Sequence, residues 1–245
     1  MSGLERVISA VVAIVSDPYA MLFFSIGIGL LLLSSVLNIN TLLRRARHDY
    51  AATMTYFASF FVLMFVVPMA LVLVDGPKFG MYPWTLGLQI GDWRIGLAMF
   101  AATIPVLAVS ILLGSRDPEL RKQYPFSKEA LAGPVRFVLY ESAYVLFYYL
   151  AWEFAFRGVV LFGLLAFLPV TIPGVAVAIM AQTFLSTIYH IGHPHSEVFG
   201  AFLLGLVSGA AAVATGSIFY GLLFHAVAGV LHDCIAYRRL ARNRT

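Results

Sequence analysis

Apolar runs of membrane-spanning length decide what this chain can become. A helix needs about 20 apolar residues to cross a hydrocarbon core about 30 Å thick. Residues 19–38, 51–74, 95–113, 137–168, 174–190, 198–214 and 218–236 approach or exceed that length and carry few charges. Of 245 residues, 61% are hydrophobic and only 11% charged, where soluble domains carry about 25%. Lipid leaves the backbone no external partner, so spanning segments are helices or closed barrels. The ten-residue alternation of a barrel strand is absent. We therefore expect an all-α, polytopic transmembrane helix bundle with seven or eight spans, forming a single membrane domain over 1–245. The eighth span would be residues 3–16, which are apolar but short and stop at Asp17-Pro18. They read as an interfacial or partly inserted helix.

Charge sets the topology. Arg44-Arg45-Ala46-Arg47-His48, the polar stretch 114–136 (Arg116, Arg121, Lys122, Lys128, Arg136) and the tail arginines 238, 239, 242 and 244 hold most of the positive charge. Positive loops stay in the cytoplasm. The chain thus divides into N-terminal spans 1–113, a cytoplasmic loop 114–136 broken by proline and glycine, a core 137–236 and a basic tail 237–245. Residues 137–168 would reach about 48 Å as one helix, and a single crossing keeps the tail in the cytoplasm. Tyr82-Pro83-Trp84 and Trp93 predict a stretch lying along the outer surface, since these side chains favour the membrane boundary. The expected location is a bacterial inner membrane, with the lipid bilayer as partner and no nucleic acid, because the positives flank spans and form no basic face. Cys234 is the only cysteine, which excludes an intrachain disulfide. No cleavable signal pattern is evident, and Asn243-Arg244-Thr245 is a glycosylation sequon on the wrong side for use.

Against this apolar background a few polar side chains stand out. Residues 137–170 hold only Glu141, Glu153 and Arg157 as charges. A charge at mid-bilayer costs roughly 2.5–3.5 kcal/mol on insertion scales. Glu153 and Arg157 are four residues apart and share a helix face, so they can pair. That pair is either a register-holding ion pair or part of a site. Five of six histidines fall late in the chain, His190, His193, His195, His225 and His232, with Glu197 and Asp233 among them. Apolar helices have no packing use for so many imidazoles, and their convergence with Glu153 and Arg157 favours a site. His225, Gly229 and His232 lie on one helical face. His-Glu-x-x-His is absent. Pro194 makes 190–195 a loop, which ranks His193 and His195 below His190. Ala201, Gly205 and Gly209 form a stripe that admits a neighbouring helix closely. Glu153 is a candidate general base, and a water held between it and a histidine would be a nucleophile for a carbonyl. That describes a hydrolase acting on peptide bonds within the bilayer.

The order Glu153-x-x-x-Arg157-Gly158, Phe184 with His190, Gly205-x-x-x-Gly209, Thr215-Gly216-Ser217 and His225 resembles the CAAX-protease and bacteriocin-processing family of intramembrane endopeptidases (CPBP, also called Abi). The resemblance spans about 137–235. Two positions depart from its pattern: Trp152 stands where a first glutamate precedes Glu153, and Gly229 where an asparagine follows His225. The resemblance implies glutamate-activated water and histidines that stabilise the oxyanion. It names Glu153, Arg157, His190, His225 and Glu197 as site residues, with the base role on Glu153 or Glu197. Its substrate would be a membrane-associated or lipidated protein. The family is described as both glutamic and metallo-endopeptidases. No spacing here supports an obligatory metal; a divalent ion such as zinc would fall to His190, His225 and Glu153. Two rivals remain. Trp152 and Gly229 fit a catalytically inactive member acting as a scaffold or immunity protein. A proton-coupled transporter would use the same buried charges as a relay, but its expected inverted repeat is not seen.

Overall fold

The computed structural model describes residues 3–17 and 49–242. The expected span 19–38, the cluster at 44–48 and the sequon lie outside the described residues. Within them the chain is an all-helical polytopic bundle. In order, α1 is Gly3–Ser16, α2 Tyr50–Val74, α3 Trp93–Gly114, α4 Pro118–Gln123, α5 Pro134–Phe167, α6 Ile172–Ile188, α7 His195–Thr215 and α8 Phe219–Arg242. Helices α2, α3, α5, α7 and α8 are long and apolar enough to cross a membrane, and α6 is a shorter apolar helix. Their outward faces carry exposed Leu97, Ile104, Val109, Leu112, Val138 and Leu146, the side chains expected against lipid.

Local chemistry fixes the helix starts. Asp49, Asp92 and Asp117 accept backbone N–H bonds at the first turns of α2, α3 and α4, and Thr171 does so for α6, satisfying donors that have no helical partner. Helix α7 ends on Gly216, whose φ of 68° is the left-handed conformation glycine adopts without penalty.

Residues 134–167 form one helix, as the single-crossing reading requires. Its winding loosens to i→i+5 bonding over Tyr144–Tyr149 and Phe154–Phe162, so Glu153 sits at the junction of two wide turns. The glycine stripe behaves as expected. A Cβ on Gly205 would come within 2.9 Å of the Thr183 side chain, and one on Gly209 within 2.6 Å of Gln182. The Gln182 amide donates to the Gly205 carbonyl at 2.8 Å, locking α6 to α7.

Four details differ from expectation. The segment 76–92 is not confined to the surface: Met81 and Leu86 are buried, Ile218 N–H donates to Gly87 C=O and Asp92 N–H to Thr215 C=O. Its apolar side chains need the bundle even though Trp84 and Trp93 stay exposed. The polar stretch 114–136 folds as α4 and a 3-10 turn, Lys128–Ala132, and inserts Gln123, Phe126, Ser127, Ala130 and Leu131. His195 and Glu197 are not loop residues; they open α7, because Pro194 halts the turn and restarts a helix. The basic tail is helical to Arg242.

If the stripe sets the α6–α7 distance, Gly205→Val drives branched methyls into Thr183. Overpacking of this kind costs about 1–3 kcal/mol. We expect a lowered thermal midpoint in detergent, and an unchanged midpoint for Gly200→Ala, where a Cβ meets open space.

Candidate active site

The site is assembled from α5, the turn after α6, the start of α7 and the middle of α8. Glu153 and Arg157 are both fully enclosed, at 0% and 1% exposure. Arg157 Nε lies 3.3 Å from Glu153 Oε2, and neither atom makes a hydrogen bond. The other oxygen, Oε1, takes the Nδ1–H of His225 at 2.5 Å. Arg157, Glu153 and His225 thus form one buried chain joining α5 to α8. Room for it comes from Gly221, one turn before His225. A Cβ there would stand 2.3 Å from Glu153 Oε2.

Beside this chain lies a cavity of ≈ 640 Å³. His190, His193, Glu197, His225, His232 and Asp233 line it, and Glu153 does not. His225, which meets Glu153 Oε1, lines the wall in its stead. The Trp152 indole stands edge-on to His190 and to His225, with ring centroids 5.3 and 6.3 Å away, and it forms part of the wall. Gly229 has a physical account. A Cβ at 229 would meet the Tyr149 hydroxyl at 1.9 Å, and the Tyr149 ring lies flat on His225, centroids 5.1 Å apart and planes within 4°. The missing side chain on α8 admits a tyrosine from α5 that holds the imidazole in plane.

Of the glutamates, Glu197 is the one that lines the cavity. Its Oε1 accepts from the Tyr124 hydroxyl and from His193 Nδ1 at 2.8 Å, while Oε2 has no partner. Contact with Glu197 in a buried setting holds the Tyr124 phenol well above the usual tyrosine range, burial being the larger cause, so Tyr124 remains a donor. His193 also meets the Gln123 amide, and Ser196 donates to Asp117 at 2.9 Å. Residues 117–124 therefore latch across the start of α7 at three points.

The histidines separate by what their Nδ1 atoms do. His190, in the turn after α6, has Nδ1 3.0 Å from the Ser186 carbonyl. A carbonyl only accepts, so Nδ1 carries the proton. Burial pushes its pKa down to about 4, so the ring is neutral near pH 7 and Nε2 is a lone pair. In that state His190 accepts from a water but cannot donate to an oxyanion. His225, tied to Glu153 through Nδ1, presents Nε2 as a donor when the ring is doubly protonated. His195 is exposed.

Among the described residues, no group of three or more His, Cys, Asp or Glu side chains is placed to hold a metal ion. His190, His225 and Glu153 do not form such a set; Oε1 of Glu153 already takes the His225 proton. A zinc site of three protein ligands is not built by these side chains.

The structure places His193 against Glu197 and adds Tyr149, Tyr124 and Gly221, which the sequence does not single out. His193 was legible only as the i−4 partner of Glu197 once a helix was known to begin beside Pro194. The other three lie far along the chain from the groups they meet, with no local signal.

Residues 134–231 match the family model of type II CAAX prenyl endopeptidase Rce1-like proteins. The match runs from the start of α5 into α8 and includes Glu153, Arg157, His190, His193, Glu197 and His225. Over these residues the resemblance to the CAAX-protease family holds, and it points to a membrane-embedded peptidase. No curated protein and no solved structure matches the chain.

A pH test follows from His190. Its folded pKa of about 4 lies below the ordinary value of 6.5, so the unfolded chain binds this proton first. Stability then declines as pH falls from about 6.5 to about 4. In spectra of histidine-labelled protein, we expect the His190 signal, assigned with His190→Gln, to stay fixed between pH 5 and 8.

Proposed function

We propose, from the Rce1-like match and the cavity together, that this protein is an intramembrane endopeptidase in which Glu197 activates the water. The observation that carries the reading is the division of labour between the two carboxylates. Glu197 lines the cavity with one oxygen held by two donors and the other unpartnered. Glu153 is fully enclosed, outside the cavity lining, and committed to Arg157 and His225.

In this reading Oε2 of Glu197 and the Nε2 lone pair of His190 both accept from one water. Glu197 takes a proton as the water oxygen bonds to the peptide carbonyl carbon, and the carbonyl π electrons move to its oxygen. His225, aligned by Glu153 and Tyr149, offers Nε2–H to that oxyanion. The tetrahedral species collapses, the C–N bond breaks, and the leaving amine takes the proton from Glu197. Glu153 and Arg157 then act as positioning residues. The cavity wall includes Tyr148, Tyr149, Leu203, Leu204 and Val207, which suits a membrane-associated or lipidated polypeptide.

Reconstituted protein and a membrane-peptide substrate test the assignment. Glu197→Gln keeps an acceptor for Tyr124, so the thermal midpoint should hold while hydrolysis falls about 10²–10⁴-fold, the usual worth of a positioned base. Glu153→Gln leaves Arg157 buried without its partner, a change that costs about 3–5 kcal/mol in buried pairs, so stability should fall with activity. Full activity in folded Glu197→Gln defeats the proposal.

One observation favours a second reading. Trp152 and the Gly229–Tyr149 contact fill the positions where the family's polar groups stand, as an inactive scaffold would allow. That reading gains if the wild type cleaves none of a panel of membrane peptides and Trp152→Glu does.

A further inference from the structure

Glu197 is served by one ring nitrogen that has two neighbours. His193 Nδ1 lies 2.8 Å from Glu197 Oε1 and 2.6 Å from the side-chain amide of Gln123. A ring nitrogen holds either one proton or one lone pair, so it cannot donate to one neighbour while accepting from the other. An ionised carboxylate only accepts. For Glu197 to serve as a base, Nδ1 must therefore carry the proton, and Gln123 must meet that N–H with its carbonyl. A half-turn of the amide plane exchanges its NH2 for its C=O in the same place. One N–H then bridges two acceptors, a common three-centre arrangement. The opposite state puts the NH2 on a bare Nδ1 and leaves the acid proton on Glu197. Amide orientation, ring tautomer and carboxyl proton thus change together.

Gln123 is built into its place. It is the last residue of α4 and is buried, yet it does not line the cavity, so it acts through His193. Its loop is held on α7 by Asp117, which accepts from Ser196, and by Tyr124, whose hydroxyl donates to Glu197 Oε1. Lys128 Nζ donates to the Arg121 and Tyr124 carbonyls and stiffens the turn that follows α4. These residues precede the family-matched stretch 134–231, so the match gives them no role. Titratable groups facing Glu197 and His193 are His190 from the turn after α6, Tyr124 from the loop and Tyr148 from α5. Phenols keep their protons at neutral pH, and His190 is neutral there. Gln123 is then the neighbour whose polarity reverses without any change of charge.

We propose that Gln123 is a positioning residue for hydrolysis: its carbonyl holds His193 in the Nδ1–H tautomer, and that N–H keeps Glu197 ionised with Oε2 left for the water. As Oε2 takes the water's proton, Oε1 becomes a poorer acceptor, and the Gln123 carbonyl keeps the N–H paired. The inference rests on Glu197 being the base.

Two measurements test it. In ¹⁵N spectra of the histidine-labelled full chain, at a pH where the ring is neutral and with the His193 signals assigned from His193→Gln, Nδ1 should carry the proton. A bare Nδ1 overturns the proposal, because the amide would then be donating and Glu197 would hold the proton. The second measurement is the pH profile of kcat/KM on a reconstituted membrane peptide. Gln123→Met keeps the side-chain length and removes both polar atoms. Losing support for the ionised carboxylate raises the pH at which the base gains its proton. The acid limb should therefore move up by about one pH unit, the scale of one hydrogen bond, with KM unchanged. A purely structural role would lower kcat at every pH alike and leave the limb in place. A limb that stays or moves down in the folded variant overturns the proposal; Gln123→Leu serves if Gln123→Met has a collapsed thermal midpoint. The spectra need no substrate. A wild type that cleaves no peptide defeats the protease reading, while the tautomer still decides the Gln123–His193 pairing.

Discussion

The buried chain Arg157–Glu153–His225 is the interaction on which the rest of the structure depends. Two opposite charges inside an apolar helix are tolerable only because they meet each other and a third polar group from α8. The consequences spread outward. Gly221 must be a glycine because Glu153 Oε2 occupies the space of its Cβ. Gly229 must be small because Tyr149 reaches over it to stack on His225. The winding of α5 loosens on either side of Glu153, where the Trp152 indole lies on the cavity and the Glu153 carboxylate is enclosed. Wide turns of this kind recur at functional sites.

Trp152 and Gly229 shape the same wall. The Trp152 indole stands in it beside His190 and His225, and Tyr149 takes up the space that Gly229 leaves. A tryptophan and a tyrosine on one helix, three residues apart, thus line the cavity together. Of the glutamates, Glu197 lines the cavity, and it arrives with its own supports. His193 comes from the turn before α7, and Tyr124 from a loop latched onto the start of that helix through Asp117 and Ser196.

What could be read from the sequence follows from the range of each signal. Hydropathy acts over one helix, so α2, α3, α5, α7 and α8 were legible, as was the single long helix at 134–167. The Gly205 and Gly209 stripe was legible because helical periodicity puts both on one face. The Glu153–Arg157 pair was legible for the same reason. The buried side of the loop 114–136 was not, since Phe126 and Leu131 are isolated apolar residues in a charged stretch. Nor was the different placement of the two glutamates, Glu153 enclosed and Glu197 on the cavity. It depends on how the helices pack and on a helix that begins at His195 directly after Pro194. Gly221 and Gly229 looked like ordinary membrane-helix glycines until the atoms opposite them were known.

The most direct test of which carboxylate serves the reaction is a structure of the protein bound to a phosphonate peptide, which mimics the tetrahedral intermediate. The account predicts one phosphonate oxygen within hydrogen-bond distance of Glu197 Oε2, a second facing His225 Nε2, and Glu153 still enclosed with Arg157 and His225. A phosphonate oxygen seated on Glu153, with the Trp152 indole swung out of the wall, would contradict it.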